Sequence, residues 1–101
     1  MSNALPTKRQ LFDQKDSTFR LKAQDGEESF DLVLDECVDL HDSASQETFS
    51  LRFRAPSTMR PEQMTYTLRN DALGDLELFL VPVDRDKDAV YFEALFNRLK
   101  G

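Results

Sequence analysis

Apolar and polar residues alternate along most of the chain from Thr18 onward, which is typical of half-buried strands. The first such run contains Phe19, Leu21 and Ala23, and the Asp25-Gly26 pair after it predicts a hairpin turn. Later runs place on one face Phe30, Leu32 and Leu34, then Phe49, Leu51 and Phe53, and then Met64, Tyr66 and Leu68. Polar or proline-bounded loops separate these runs, so the pattern predicts an antiparallel all-β fold.

The second strand changes character at Glu36, where an acidic residue falls on the apolar face. We expect a bulge or a bend near Asp35–Cys37, because one extra residue redirects a strand. Beyond it, Val38 and Leu40 are predicted to resume the face of the earlier apolar residues.

The segment Leu76–Val83 is apolar on both faces. Leu76, Leu78 and Leu80 share one face, and Phe79, Val81 and Val83 share the other. This pattern predicts a strand whose back is covered by a helix, an arm or a second sheet. Pro82 cannot donate a ladder hydrogen bond, so we expect it at an edge or a bulge.

The segment Ala89–Leu99 has two interpretations. At a spacing of two residues, Val90, Phe92, Ala94 and Phe96 share a face, whereas at helical spacing Tyr91, Leu95 and Leu99 do. The five-residue loop Asp84–Asp88 returns the chain directly and favours a β-hairpin. A helix is the alternative, because Ala, Glu and Leu are good helix formers.

The N-terminal residues also leave two structures open. Thr7 and Gln10 have the spacing of a capping box, which predicts a short helix through Lys15. An irregular arm that lays Leu11 and Phe12 on the core fits equally well.

The predicted domain organisation follows from these elements and from the length of 101 residues, which suits one domain. Residues 1–16 are predicted to form an arm or a short helix, and residues 17–101 a single β domain. The predicted fold is all-β, a compact antiparallel sandwich or partly open small barrel of about six strands.

Composition narrows the functional classes. A net charge of −6 argues against a nucleic-acid partner, which needs a basic surface. No apolar run approaches the roughly 20 residues of a membrane helix, and no signal sequence follows Met1, so we expect a cytoplasmic protein with no membrane partner. Export by a route without such a signal stays open. The single Cys37 cannot form an internal disulfide.

The charged loop Asp84–Asp88 has the D-x-D-x-D spacing of an oxygen-ligand calcium loop. Ala89 and Leu95 occupy the positions where an EF-hand loop has Gly and Glu, and two bases lie inside the loop. We therefore interpret it as a solvated hairpin tip and predict no metal site.

Acidic and basic residues are separated along the sequence. The stretch from Ala23 to Leu51 carries only acidic charges, whereas the bases cluster elsewhere. We expect these charges to pair within one molecule. Head-to-tail docking of an acidic patch on a basic patch is the alternative.

Candidate catalytic residues are few. Cys37 and His41 are four residues apart, which in a regular strand puts them on one face but about 13 Å from each other, beyond hydrogen-bond reach. The three glycines cannot form a phosphate-binding fingerprint. We therefore expect a non-enzymatic protein with no catalytic residue and no cofactor.

The predicted function is structural or interaction-based. The candidate interface comprises the outward Arg52 and Arg54 and the proline-stiffened loop that follows, with Pro56, Arg60 and Pro61. The alternative is a small binding module for an apolar or sugar-like ligand.

Three stretches carry a family resemblance: FSLRFRAP (residues 49–56), TYTLRNDALGDLELFLVPV (65–83) and FEALFNRL (92–99), together with FRL near the start. From Phe12 onward the chain resembles an uncharacterised bacterial domain family of about this length. Ala55 stands where that family usually has Gly, and Phe92 where it usually has Tyr. The resemblance supports the hairpin. It also implies an accessory or structural role beside phage-collar-like fibre proteins, with a fibre- or tail-like partner or self-association.

Overall fold

The computed structural model describes residues 6–21 and 29–100, which form a ring of antiparallel strands and one short helix. The elements are α1 (Lys8–Phe12), β1 (Thr18–Leu21), β2 (Phe30–Asp42), β3 (Gln46–Pro56), β4 (Met64–Asn70), β5 (Gly74–Arg85) and β6 (Ala89–Leu99). Their spatial order is β1-β2-β3-β6-β5-β4, and β4 pairs back with β1. The predicted all-β fold of about six strands is confirmed, while Ala23 and the predicted Asp25-Gly26 turn lie outside the described residues.

Two long strands, β2 and β5, each pair with one strand along their first part and with another strand along the rest. β2 pairs with β1 over Phe30–Val33 and then with β3 as far as Asp42. β5 pairs with β4 over Gly74–Leu80 and then with β6 over Val81–Arg85. The ring is therefore closed by strands that change partners along their length rather than by a regular barrel.

The core fills the inside of the ring with the residues that the alternation predicts. Those that have no exposed surface include Leu11, Phe19, Leu32, Leu34, Phe49, Leu51, Phe53, Leu68, Leu80, Val90 and Phe92. Phe19 and Phe53 meet edge to face at 5.1 Å, and Phe49 and Phe96 stack at 4.7 Å. Such aromatic pairs add to the stabilisation from burial alone.

The predicted bulge in β2 is confirmed, but its consequence differs from the prediction. The register shifts between Leu34 and Glu36, and the core-facing side resumes at Cys37, opposite Leu51. Leu40 is 56% exposed, so the prediction that Val38 and Leu40 continue the inward face was wrong. An extra residue in one strand shifts every later side chain to the other face.

The strand interpretation of Ala89–Leu99 is confirmed. β6 pairs with β3 along its whole length, and its alternate residues Val90, Phe92, Ala94 and Phe96 are buried. Pro82 lies beside a register shift in the β5–β6 ladder, as predicted for a residue that lacks an N–H.

The predicted cover over the back of β5 is not found among the described residues. Leu76, Leu78 and Leu80 are buried, but Phe79 is 53% exposed and Val83 is 47% exposed on the opposite face. Helix α1 does not cover this face, because its Leu11 and Phe12 pack into the ring near Phe49.

The predicted capping box at the start of α1 is confirmed. The Gln10 amide donates to the Thr7 hydroxyl at 3.1 Å, and the Thr7 amide donates to the Gln10 side chain at 2.8 Å. The helix ends at Phe12 rather than Lys15, and turns follow it to Asp16, which has a positive φ of 71°. None of the described residues forms a helix that is long and apolar enough to cross a membrane.

Candidate functional site

Arg52, the first predicted interface residue, lies on the outer face of β3 and is held by its own molecule. It stands between Glu36 and Glu93 in register. Its guanidinium lies 4.4 Å from the ring centroid of Tyr91, and Nη2 is 3.5 Å from an Asp84 oxygen. The stacking and the ion pair fix the side chain and leave it 35% exposed.

Arg54 and the loop after β3 are more accessible. Arg54 is exposed opposite Tyr91, and no acid among the described residues lies within ion-pair distance of it. Pro56 is half-buried at the end of β3, Pro61 is exposed, and Arg60 contacts Glu62 at 3.5 Å. The structure thus brings Arg52 and Arg54 to one face; Pro56 ends the same strand, and Arg60 and Pro61 follow in the adjoining loop.

The charged loop Asp84–Asp88 uses its carboxylates for local contacts. The Asp86 carboxylate accepts hydrogen bonds from the amides of Asp88 and Ala89, at 2.8 and 2.9 Å, and from the Tyr91 hydroxyl at 3.3 Å. The Asp88 amide is the main reason that the pKa of Asp86 is lowered. Within residues 6–21 and 29–100, no three His, Cys, Asp or Glu side chains are grouped to hold a metal ion.

Several acids of the Ala23–Leu51 stretch are neutralised within the molecule. Lys8 of α1 lies 3.0 Å from Asp39 and 2.8 Å from Asp42, and Lys100 also contacts Asp42. Hydrogen bonds from these two lysines, Lys100 first, lower the pKa of Asp42 to about 2. Together with the pairs Arg20–Asp31 and Arg98–Glu47, these contacts are the expected intramolecular pairing.

Cys37 and His41 lie on opposite faces of β2. Cys37 is opposite Leu51 and packs against the core, where burial raises the pKa of its thiol. His41 is exposed opposite Thr48, because a second register shift follows Asp39. The prediction that both share one face was therefore wrong, since the shift reverses the alternation.

The sequence did not reveal a separation between β5 and β6. Their ladder runs from Arg85 opposite Val90 to Val81 opposite Glu93, and the pairing ends there. β5 nevertheless extends back to Gly74 and β6 extends on to Leu99. The two strands line an open notch of about 280 Å³, formed by residues 77–79 and 94–98.

The rim of this notch is apolar on the outer face of the ring. Leu95 is 63% exposed and Phe79 is 53% exposed, and both line the notch. Leu95 stands opposite Ser50, which stands opposite Val38, so these three residues form a row across β6, β3 and β2 in which Ser50 is polar and buried. We call Val38, Ser50, Phe79 and Leu95 the outer strip; Arg52 and Arg54 flank it on β3.

Arg98 lines the notch from the inner face of β6. Its Nη1 donates to the Pro6 carbonyl at 2.8 Å, and an oxygen of Glu47 is 3.8 Å away. Its guanidinium lies over the rings of Phe49 and Phe96, at 5.4 and 5.0 Å from the centroids. The Nη2 atom is buried and has no hydrogen-bond partner among the described residues.

Comparison with known proteins gives one match. Neither the curated proteins nor the solved structures contain a chain that matches this one. A family model matches residues 6–96, which span α1 and all six strands except the last residues of β6. The predicted resemblance to an uncharacterised domain family is therefore confirmed: the chain belongs to the family described as a domain of unknown function, DUF6916.

Proposed function

We propose that this protein is a non-enzymatic interaction protein that binds another protein through the outer face of β3, β5 and β6. The observation that carries the proposal is the outer strip, in which Phe79 and Leu95 are each more than half exposed beside a notch. Large apolar side chains that are grouped on a surface mark interaction sites more often than scattered ones do.

The charges around the strip support a protein as the partner. Arg52 and Arg54 flank the outer strip on β3, and Glu93, opposite Arg52, precedes Leu95 by two residues on β6. An apolar centre with a charged rim is the usual anatomy of a protein interface. Of the other predicted interface residues, Pro56 ends β3, and Arg60 and Pro61 are exposed in the loop that follows.

The finer proposal is that the protein is an accessory or assembly component of a phage-derived or fibre-like apparatus and acts in the bacterial cytoplasm. This proposal is supported by the resemblance of the three sequence stretches described above to a bacterial domain family, which implies a role beside phage-collar-like fibre proteins. A chain with one cysteine needs no oxidising compartment.

Affinity capture of a tagged copy from the cells that make it tests the proposal, with the captured proteins identified by mass. We expect a stoichiometric fibre- or tail-type partner. An empty capture, with a monomeric mass in light scattering at high concentration, would count against it.

The alternative is a small ligand in the notch, whose volume of about 280 Å³ lies just below the roughly 300–1,000 Å³ of typical ligand pockets. Native mass spectrometry of the purified protein separates the two functions. A retained small molecule supports the alternative, and the bare mass of the chain supports the protein partner.

A further inference from the structure

We propose that the notch binds an extended segment of the protein partner, which adds as a further strand along the free edge of β6. This inference rests on the proposed function, since it specifies the form in which the partner binds. Ala94–Leu99 pairs with β3 on one side and has no strand partner among the described residues on the other.

The backbone chemistry of the notch favours a strand over a small molecule. In a strand with one free edge, about every second residue points its N–H and C=O toward that edge. A peptide strand pairs these groups in sequence, whereas a small apolar molecule leaves most of them to water. The six residues from Ala94 to Leu99 offer an edge of about 20 Å, at roughly 3.3 Å per residue.

The side chains around the edge define the peptide that fits. Leu95 and Phe79 on the rim favour apolar residues at alternate positions, because successive side chains of a strand point to opposite faces. Arg98 also lines the notch, and its positive charge favours a backbone carbonyl or a C-terminal carboxylate of the peptide beside it. The expected ligand is therefore an extended, largely apolar peptide with an oxygen placed at Arg98.

A display library of random twelve-residue peptides is the probe for this site. We expect the selected peptides to have apolar residues at alternate positions. Their binding should protect from hydrogen exchange those amides of Ala94–Leu99 that point into the notch. Leu95→Lys should weaken their binding by at least about tenfold, the loss typical of a central interface residue. Leu40→Lys is the matched control, because Leu40 is an exposed leucine on β2 outside the notch lining, and it should leave binding unchanged.

The outcomes separate this inference from the proposed function. Peptides that bind without protecting the β6 amides would overturn strand addition, and so would a library without binders when affinity capture still gives a stoichiometric protein. In both cases the protein partner stands. A dimeric mass with no other protein captured, or a small molecule retained in native mass spectrometry, would overturn both proposals.

Discussion

Val81 and Glu93 form the last residue pair of the β5–β6 ladder, and the two strands separate immediately beyond it. Val90–Glu93 therefore has strand neighbours on both sides, whereas within residues 6–21 and 29–100 Ala94–Leu99 has one on the β3 side only. This separation creates the notch, and no other strand of the described part of the chain pairs with the two edges that face it; natural proteins usually cover or block such edges.

The separation predicts an alternating exchange pattern in the free protein. Amides of Ala94–Leu99 that donate to β3 should exchange slowly, and those between them should exchange fast, because their hydrogen bonds go to water. All amides of Val90–Glu93 should exchange slowly. Residue-resolved hydrogen exchange by NMR measures this pattern, and uniform protection as far as Leu99 would contradict the open notch.

The outer strip should contribute little to folding. Leu95→Lys is expected to change the free energy of unfolding by less than about 0.5 kcal/mol, as for most surface substitutions. Phe53→Ala should lose about 3–5 kcal/mol, because Phe53 is fully buried against Phe19. Urea unfolding of both variants measures the difference. A loss of several kcal/mol for Leu95→Lys would mean that the residue belongs to the core.

The turn between β4 and β5 depends on Gly74, which has a φ of +79°. Gly74→Ala should destabilise the protein by about 1–2 kcal/mol through backbone strain, because a Cβ is disfavoured in the left-handed region. Steric overlap does not contribute, since an added Cβ would meet nothing within 4 Å. Thermal unfolding measures the loss, and an unchanged or raised Tm would contradict the strained conformation.

The contacts of Asp42 with Lys8 and Lys100 should make the stability of the fold depend on pH in the acidic range. The folded-state pKa of Asp42 is lowered from 3.8 to about 2, so its stabilising contribution is present above pH 3.8 and disappears as the pH falls toward 2. Asp42→Asn lacks this contribution at every pH.

Melting temperatures measured between pH 6 and pH 2 test this prediction. The difference between the wild type and Asp42→Asn should shrink on acidification. Asp88→Asn is the control, since the Asp88 carboxylate on the β5–β6 loop has no ion-pair partner among the described residues. A difference between wild type and Asp42→Asn that stays constant to pH 2 would show that the two lysines do not stabilise the ionised carboxylate.

The strands were predictable because their pattern is local. Phe49, Leu51 and Phe53 face one core, and a period of two residues records that directly. An apolar residue such as Phe79 on the second face of a strand suggests a cover, but the pattern does not show whether any other element reaches it. Phe79 is exposed, so the predicted cover of β5 was wrong. A bulge changes the alternation of all later residues, which is why Leu40 and His41 were placed on the wrong face.

The long-range contacts that form the notch could not be predicted from the sequence. Arg98 donates to the Pro6 carbonyl across 92 residues, and no spacing rule connects positions so far apart. The end of the β5–β6 ladder at Val81 likewise depends on the path of the whole ring. The sequence therefore indicated Arg52 and Arg54 as outward residues but not the notch beside them.

Affinity capture with a matched pair of variants decides whether the partner binds at the notch. Tagged wild type, Leu95→Lys and Leu40→Lys are compared for the amount of partner that each retains from the same lysate. Leu95 and Leu40 are both exposed leucines, at 63% and 56%, but only Leu95 lines the notch. We expect Leu95→Lys to lose the partner and Leu40→Lys to retain it at the wild-type level; equal retention by both variants would contradict binding at the notch.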